Sequence, residues 1–407
     1  MSKGLVVFED AHWRDLRPLT DLAPVPALAF GASSLAERLA ASSGLPLAAL
    51  AARADALQAC RTVPRAPGLD AAARTIVFAN AAALPGVWLN ELVAGDDPLI
   101  VRQDDRILGA RVAPTDAQAA LASGDASAWL AAASLASKPG AAKLIERPWQ
   151  IVEWNAAAIA ADLGTMIPGL RGDVHASVVV LGDHRVSVES GARIDPFCML
   201  DARGGPVLVR KGASIAAHTL VTGPCVIGEG TQLLGGSVSR SSFGRQCRVA
   251  GEVEECVWQG FGNKRHHGFL GHSVIGEWVN LGALTTTSDL KNNYGNVRVT
   301  VDGREYDSGN PKVGSLIGAH VKTGIGTLLP TGAVVGSGAN LFGGGVFAPK
   351  SVPSFGWWDG QQMLEHRLDA FTRTARIALS RRAEQAGAED EQAWQRLYDS
   401  TRQERAT

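Results

Sequence analysis

Residues 264–267 place two fixed cations beside two histidines. The run reads Lys264-Arg265-His266-His267, and His272 follows five residues later. Histidine titrates near neutral pH, so one of these groups can act as the general base that acyl transfer from a thioester to an amine requires. Asn280 or a nearby glycine-rich turn can supply the hydrogen-bond donor for the oxyanion. Two other interpretations stay open, in which the histidines are solvated loop residues or zinc ligands, although no cysteine or carboxylate stands at the usual zinc spacing.

The elements that must position these residues repeat every six residues. An aliphatic or small residue occupies every sixth position in the C-terminal half: Ile317, Thr323, Leu329, Val335, Leu341 and Phe347. The period recurs at Ile194 and Leu200, from Val209 to Leu233 and from Ile275 to Thr287, although these blocks are not all in one phase. A helix repeats at about 3.6 residues and an isolated strand at about 2, so neither explains the pattern. A period of six predicts hexapeptide repeats, which build the strands and corners of a parallel β-helix.

Two segments interrupt the repeat. Residues 254–271 are disturbed by the polar run that contains the histidines, and residues 288–314 leave the period altogether. In the second segment Val297, Val299 and Val301 alternate with polar residues before Asp302-Gly303, which predicts a β-hairpin. Loops that leave a rigid scaffold commonly carry binding groups, so we expect functional side chains in both interruptions.

A helical pattern follows Phe355. One face of this segment collects apolar residues: Leu364, Leu368, Phe371, Ala375 and Ala378. The open end of a β-helix exposes unpaired strand edges, so the pattern predicts a helix that packs back on the solenoid end as a cap. A second short helix is expected around Trp394 and Leu397.

Composition indicates the class of protein and its organisation. The chain has 407 residues, and its 39 Lys and Arg nearly balance its 40 Asp and Glu, which argues against nucleic acid or a membrane surface as a partner. No run of about 18 apolar residues could span a membrane and no apolar leader is visible, so we expect a cytoplasmic protein. The five cysteines lack metal-site spacing and are predicted to be buried. The pattern divides into an α/β domain over 1–170, a β-helix over 171–355 and a helical tail over 356–407.

The segment from Gly262 to Gly295 resembles a known family. It is similar to the acetyltransferase half of the bifunctional bacterial enzymes that combine glucosamine-1-phosphate acetyltransferase with N-acetylglucosamine-1-phosphate uridylyltransferase, and most of all to a divergent branch of sugar nucleotidyltransferases. In that family a histidine shortly before an aromatic-Leu-Gly triplet is the base. Phe269-Leu270-Gly271 matches the triplet, so the resemblance assigns this role to His266. The run from Asn280 to Ala283 also matches, but Leu284 replaces the usual glycine.

The resemblance implies a left-handed β-helix and a homotrimer that holds acetyl-CoA between neighbouring solenoids. It implies that Asn293 and Tyr294 touch substrate and acetyl-CoA. Three groups of site residues are therefore expected. These are His266, Asn280 and Tyr294 for catalysis; Lys264, Arg265, His267 and Asn293 for the sugar phosphate; and Lys312, Lys322, Thr323 and Lys350 for coenzyme A.

The N-terminal domain resembles the same divergent branch more weakly, in Phe8-Glu9-Asp10 and around Pro148-Trp149. A nucleotidyltransferase normally opens with a glycine-rich phosphate loop, and residues 1–60 contain none. Arg14 and Arg17 are candidates for binding phosphate, or else surface residues of a helix. Asp104 and Asp105 could hold Mg²⁺ if this domain is active, although the pair also reads as a turn.

These observations favour a sugar-phosphate transferase. Its reaction would be acetyl-CoA-dependent N-acetylation of an amino-sugar phosphate, nucleotidyl transfer from a nucleoside triphosphate to a sugar 1-phosphate, or both. The alternative is a non-catalytic trimeric scaffold or regulatory protein with degenerate sites, which the missing phosphate loop and Leu284 would explain. A third possibility retains only the nucleotidyl chemistry.

Overall fold

The computed structural model describes residues 3–405 and divides into two compact units. Within the described residues, the first unit comprises 3–16, 23–28 and 33–146, and the second comprises 17–22, 29–32 and 147–405. Up to residue 139 the strands are β1 (Lys3–Phe8), β2 (Ala29–Phe30), β3 (Ser33–Ser34), β4 (Leu47–Ala51), β5 (Thr75–Asn80), β6 (Leu99–Gln103), β7 (Arg106–Val112) and β8 (Ser137–Pro139). The helices of this part are α1 (Leu35–Ser43), α2 (Ala54–Ala59), α3 (Val87–Ala94), α4 (Pro114–Ala122) and α5 (Ala126–Ala132), with 3₁₀ helices at Ala11–Leu16 and Val25–Ala27.

The first unit is built on a six-stranded sheet with the order β4-β1-β5-β7-β6-β8. β1 pairs in parallel with both β4 and β5, while β7 runs antiparallel to β5 and β6. Leu5, Val6, Val7 and Phe8 of β1 are all fully buried, which is typical of a strand covered on both faces. The predicted α/β fold of the N-terminal part is confirmed.

The second unit contains a parallel β-helix, as the six-residue period predicted. Two helices precede it, α6 (Pro148–Glu153) and α7 (Asn155–Leu163). The strands are β9 (Gly169–Leu170), β10 (Asp173–Val174), β11 (Val179–Leu181), β12 (Val186–Val188), β13 (Arg193–Ile194), β14 (Met199–Asp201), β15 (Val207–Val209), β16 (Ser214–Ile215), β17 (Leu220–Thr222), β18 (Cys225–Ile227), β19 (Gln232–Ser239), β20 (Ser242–Phe243), β21 (Arg248–Glu254), β22 (Val257–Trp258), β23 (Asn263–Lys264), β24 (Phe269–Gly271), β25 (Val274–Ile275), β26 (Thr286–Thr287), β27 (Arg298–Val301), β28 (Arg304–Asp307), β29 (Leu316–Ile317), β30 (Lys322–Thr323), β31 (Leu328–Leu329), β32 (Val334–Val335), β33 (Asn340–Leu341), β34 (Ser351–Val352), β35 (Gly356–Trp358) and β36 (Met363–Glu365).

The solenoid core is made of stacked inward-facing residues from successive rungs. One face is a ten-stranded sheet with the order β34-β32-β29-β25-β22-β20-β18-β15-β12-β9. Its register aligns one inward residue per rung, and all of them are buried: Val188, Val209, Ile227, Phe243, Trp258, Ile275, Ile317, Val335 and Val352. All five cysteines are buried and free, as predicted, and four of them belong to this core or to its corners.

The period fails at its last predicted position. Leu329, Val335 and Leu341 are fully buried, but Phe347 is 63% exposed and Ala348 takes the core position instead. The segment 342–345 contains three consecutive glycines, two of them with positive φ, and it moves the next core residue out of phase. The predicted hairpin in the 288–314 segment is present, because β27 and β28 pair in antiparallel fashion around Asp302-Gly303.

The first unit ends at residue 146, earlier than the boundary near 170 that composition indicated. The reason is the packing of α7 on the solenoid. Ile159 and Leu163 form one apolar cluster with Leu208 and Val226 of the rungs. A helix that buries its apolar face on a sheet becomes part of that unit, whatever its composition.

Three helices form the C-terminal tail: α8 (Leu368–Ser380), α9 (Ala388–Ser400) and α10 (Arg402–Arg405). The predicted helices are confirmed, except that Leu364, expected on the first of them, lies in β36 and is 47% exposed. α8 does not lie over the solenoid end. It follows a column of corner residues from successive rungs, which we call the aromatic corner: Phe261, Trp278, His320 and Phe355. Phe371 of α8 contacts Phe355 in the last rung, while Leu379 clusters with Phe261. The final strand edge of one face is covered by β36, which pairs antiparallel with β35.

We expect Phe371→Ala to lower the free energy of unfolding by about 3–5 kcal/mol, because a buried phenylalanine at the centre of this cluster leaves a cavity. The ring is 2% exposed and packs on Phe355, His320 and Trp394. Ile377→Ala is the control, since Ile377 lies on the same helix but is 62% exposed. Denaturant unfolding of both variants checks the prediction, and equal losses would contradict it.

Candidate functional site

The predicted catalytic histidine lies on an exposed loop at one corner of the solenoid. Arg265, His266 and His267 follow β23, and all three are exposed. The loop backbone is anchored at two carbonyls: Lys264 Nζ donates to His266 O at 2.9 Å, and Leu284 N–H donates to His267 O at 2.9 Å. The residues 265–268, called the histidine loop below, therefore present their side chains outward from a fixed backbone.

Lys264 does not belong to this exposed group, which corrects its predicted contact with a sugar phosphate. Its residue is 0% exposed, and β23 places it in register with Val249 of the solenoid core. Its ammonium donates to Ala250 O at 3.1 Å as well as to His266 O. Burial lowers the pKa of Lys264 to about 8. Successive strand residues point to opposite faces, so the neighbour that faces outward here is Asn263.

The other two predicted catalytic residues lie on segments other than the histidine loop. Asn280 Oδ1 accepts a hydrogen bond of 2.6 Å from Asn263 Nδ2, within a row of outward residues along one face. Tyr294 is 74% exposed in the 288–314 segment. Within residues 3–405, no hydrogen bond joins His266 to Asn280 or to Tyr294.

A groove of about 430 Å³ lies beside the predicted substrate residue Asn293. Asn293 Oδ1 accepts from Gly295 N–H at 3.1 Å, which fixes the turn at this point. The lining combines polar groups with one exposed aromatic ring: Ser288, Leu290, Lys291, Asn292, Asn293, Pro330, Thr331 and Phe347. Amides, hydroxyls and an ammonium beside an aromatic surface are suited to a polar small molecule.

Two residues predicted to hold coenzyme A already have hydrogen-bond partners within the solenoid, Lys322 from a partly exposed position and Thr323 from a buried one. Lys322 Nζ donates to Trp278 O at 2.7 Å and to His320 O at 3.1 Å, and burial lowers its pKa to about 7. Thr323 is 6% exposed, and its hydroxyl pairs with the Thr285 hydroxyl at 2.7 Å. Thr323 is therefore not available to a pyrophosphate, while the ammonium of Lys322 is held by two backbone carbonyls. Lys312 and Lys350 are exposed and stay candidates for that role.

His272 occupies the middle of a ladder of alternating charges that the sequence interpretation missed. Its Nδ1 lies 2.7 Å from Asp289 Oδ2 and its Nε2 lies 3.6 Å from Glu255 Oε2. Glu255 in turn pairs with Arg240 at 2.8 Å. Arg240, Glu255 and His272 share positive φ because they occupy the same corner in successive rungs. In the sequence, the signal for this ladder was the recurrence of charged residues at a spacing of one solenoid turn.

The ladder borders a small cavity of about 210 Å³. Lys312, Asn310 and Glu153 also line it. Burial opposes ionisation of Asp289, but the hydrogen bond and charge of His272 and the charge of Lys312 outweigh it and lower the pKa of Asp289. His272 therefore links the start of the 288–314 segment to the rigid rungs.

The predicted phosphate-binding arginines have different surroundings. Arg17 belongs to the second unit and is 9% exposed. It contacts Asp21 at 2.7 Å, Asp302 at 2.5 Å and Glu404 at 2.8 Å. Burial alone would lower the pKa of Arg17, but the charge of Asp21 and the bond to Glu404 raise it above its ordinary value. Three carboxylates already neutralise this cation, so it cannot serve a phosphate as predicted. Arg14 is exposed and lies over the Trp13 ring.

The predicted magnesium ligands form a turn. Asp104 and Asp105 are exposed between β6 and β7, and Asp104 has φ +52°. Among residues 3–405 no group of three or more His, Cys, Asp or Glu side chains is arranged to hold a metal ion. Asp104 and Asp105 form the turn that the competing interpretation predicted.

A polar network that the sequence interpretation missed lies at the carboxyl ends of β1 and β5. Asp10 Oδ2 accepts from Asn80 Nδ2 at 2.7 Å and from the Arg106 guanidinium at 2.8 Å. Open α/β sheets bind ligands beyond the carboxyl ends of their parallel strands. Asp10, Asn80 and Arg106 are therefore the groups of the first unit best placed for a ligand.

Comparisons with known proteins bear on both units. Residues 5–169 match the model of a family described as sugar nucleotidyl transferase, which confirms the predicted resemblance for this segment. A "Bifunctional sugar-1-phosphate nucleotidylyltransferase/acetyltransferase" of Sulfurisphaera tokodaii is 38% identical over 95 residues. The match covers 23% of this chain and 24% of that protein, so the chain spans about a quarter of the relative's length.

Solved structures of two acyltransferases also match. The UDP-N-acetylglucosamine acyltransferase of Arabidopsis is 15% identical, with a TM-score of 0.19, over 57% of this chain and 90% of that one. The UDP-N-acetylglucosamine acyltransferase of Campylobacter jejuni is 14% identical, with a TM-score of 0.17, over 56% of this chain and 91% of that one.

No helix within residues 3–405 is long and apolar enough to cross a membrane.

We expect Asp289→Asn to lower the free energy of unfolding by about 1–3 kcal/mol at pH 7, because it removes a charge-assisted hydrogen bond to His272. The pKa of Asp289 is lowered in the folded chain. The stabilisation that its ionised carboxylate provides is therefore present above the unfolded pKa of about 3.9, and it is lost as the pH falls through the pKa of the folded state. The difference in the free energy of unfolding between this variant and the wild type should therefore shrink below about pH 4. Unfolding measured from pH 3 to 8 checks this, with exposed Asp183→Asn as the control. A difference that is unchanged at pH 3 would count against it.

Proposed function

We propose that this protein is a sugar-phosphate transferase whose β-helix transfers an acetyl group from acetyl-CoA to the amine of an amino-sugar phosphate. The observation that carries the proposal is the 38% identity with a relative whose name joins nucleotidyl transfer to acetyl transfer. The match of residues 5–169 to sugar nucleotidyl transferases supports a sugar phosphate as the substrate class. The expected setting is the cytoplasm.

In this proposal His266 is the general base. Its imidazole accepts a proton from the sugar amine while the nitrogen attacks the thioester carbon. The new C–N bond forms, the C–S bond breaks, and the departing thiolate of coenzyme A is protonated. Arg265 and His267, exposed on the same loop, are candidates for the substrate phosphate. Lys312 and Lys350 are candidates for the pyrophosphate of coenzyme A.

A homotrimer would complete the site. The resemblance places acetyl-CoA between neighbouring solenoids, so residues of a second subunit would stand beside His266, Asn280 and Tyr294. The surface beside the histidine loop is apolar: Leu284 is 59% exposed and Ile325 is 72% exposed. Leu284 N–H donates to His267 O at 2.9 Å, so Leu284 lies directly beside the histidine loop. Burying these side chains between subunits would supply part of the association energy.

His266→Ala should lower kcat for acetyl transfer by about 100-fold or more, because the amine loses its proton acceptor. The assay follows coenzyme A release with glucosamine 1-phosphate and acetyl-CoA. His184→Ala is the matched control, since His184 is also exposed but lies in a turn between β11 and β12. Near-full activity of His266→Ala would remove this residue from the mechanism.

Nucleotidyl transfer is a second candidate activity, favoured by the family match of the first unit. Asp10, Asn80 and Arg106 would bind the substrate there, with the magnesium-bound nucleoside triphosphate as cosubstrate. We expect pyrophosphate release from UTP and a sugar 1-phosphate, and Arg106→Ala should reduce it by at least about tenfold, because Asp10 loses the ion pair that orients it. Exposed Arg65→Ala is the control. Release that is unaffected by Arg106→Ala would exclude this placement.

The scaffold alternative makes the opposite prediction for ligands. Isothermal titration with acetyl-CoA and with UTP separates the two, because a scaffold with degenerate sites binds neither.

A further inference from the structure

A charged side chain is enclosed beneath the histidine loop. Lys264 has no exposed surface, although lysine is rarely buried without a specific partner. It stands in a core column beside Val249, where an apolar residue would avoid the cost of desolvating an ammonium. The β-helix fold alone gives no reason for a lysine at this position.

The ammonium is aimed at the loop that carries His266. Lys264 Nζ donates to His266 O at 2.9 Å, and its second acceptor is Ala250 O in the rung below. A Cβ built on Gly251 would lie 3.0 Å from Lys264 Nζ and 3.1 Å from His267 Cα, so the ammonium is packed directly under the loop backbone. Since the pKa of Lys264 is about 8, the group is charged at neutral pH and its hydrogen bonds are charge-assisted.

We propose that Lys264 is a positioning residue, which holds the backbone of the histidine loop so that the His266 side chain keeps one orientation toward the substrate. The proposal rests on the role given to His266 under the proposed function. Arg265, His266 and His267 are all exposed, and within residues 3–405 the other hydrogen bond to a carbonyl of this loop is that of Leu284 N–H to His267 O. A base that is fixed before the substrate binds loses less rotational freedom in the transition state.

Lys264→Met tests the proposal, because methionine fits an apolar core column but cannot donate a hydrogen bond. We expect kcat for acetyl transfer to fall by at least about tenfold with KM for acetyl-CoA changed less than about twofold. The midpoint of thermal unfolding should stay within a few degrees of the wild type, because a buried charge is replaced by a side chain of similar volume. A residue with only a structural role would change stability and activity together.

A double variant separates action through His266 from any other effect. If Lys264 acts by holding His266, adding Lys264→Met to the His266→Ala variant should lower kcat further by less than about threefold, because the two effects are not additive. Equal fold losses in both backgrounds would overturn the proposal, and so would wild-type kcat in Lys264→Met.

Hydrogen–deuterium exchange tests the loop without reference to activity. Amides of 265–268 should exchange faster in Lys264→Met, while Lys322→Met leaves them unchanged, since Lys322 makes the same kind of bonds at the aromatic corner. Unchanged exchange at 265–268 in Lys264→Met would also overturn the proposal. Full activity of His266→Ala contradicts the proposed function instead, and the exchange result then still decides whether Lys264 holds this loop.

Discussion

The rung-to-rung register of the β-helix is the constraint on which the rest of the second unit depends. Parallel strands about 4.8 Å apart place equivalent residues of successive turns on top of one another. Each position therefore becomes a column. The inward column from Val188 to Val352 forms the core, and a polar residue in such a column must satisfy its hydrogen bonds inside the solenoid, as Lys264 does with two carbonyls.

The same register gives each of the three corners of the solenoid a different set of side chains. The aromatic corner stacks Phe261 on Trp278 at 4.2 Å and receives α8. A second corner alternates charges and ties the 288–314 segment to the rungs through His272 and Asp289. The third carries the histidine loop and keeps an apolar surface uncovered around Leu284. α8 and the 288–314 segment cover two of these corners. The third corner stays exposed, so the proposed transferase site and a subunit contact can both lie there.

The two units also differ in how their candidate sites are made. In the first unit, polar groups gather where two parallel strands end, so Asp10, Asn80 and Arg106 meet within a single sheet. In the second unit, His266 and Tyr294 are displayed by separate interruptions of the repeat. A solenoid wall has a small and regular outer surface, and a site on it depends on loops or on a neighbouring subunit.

The sequence by itself determined the parallel β-helix, the C-terminal helices, the Asp302-Gly303 hairpin and the exposure of His266, because periodicity and turn chemistry are local properties. It could not tell that Lys264 points inward and Asn263 outward, since shifting a two-residue strand by one position exchanges its faces. It also could not pair His272 with Asp289 or bring Asp302 and Glu404 to Arg17, because these partners are distant in sequence. The tertiary structure decided these contacts, since only the stacking of whole turns determines which distant side chains become neighbours.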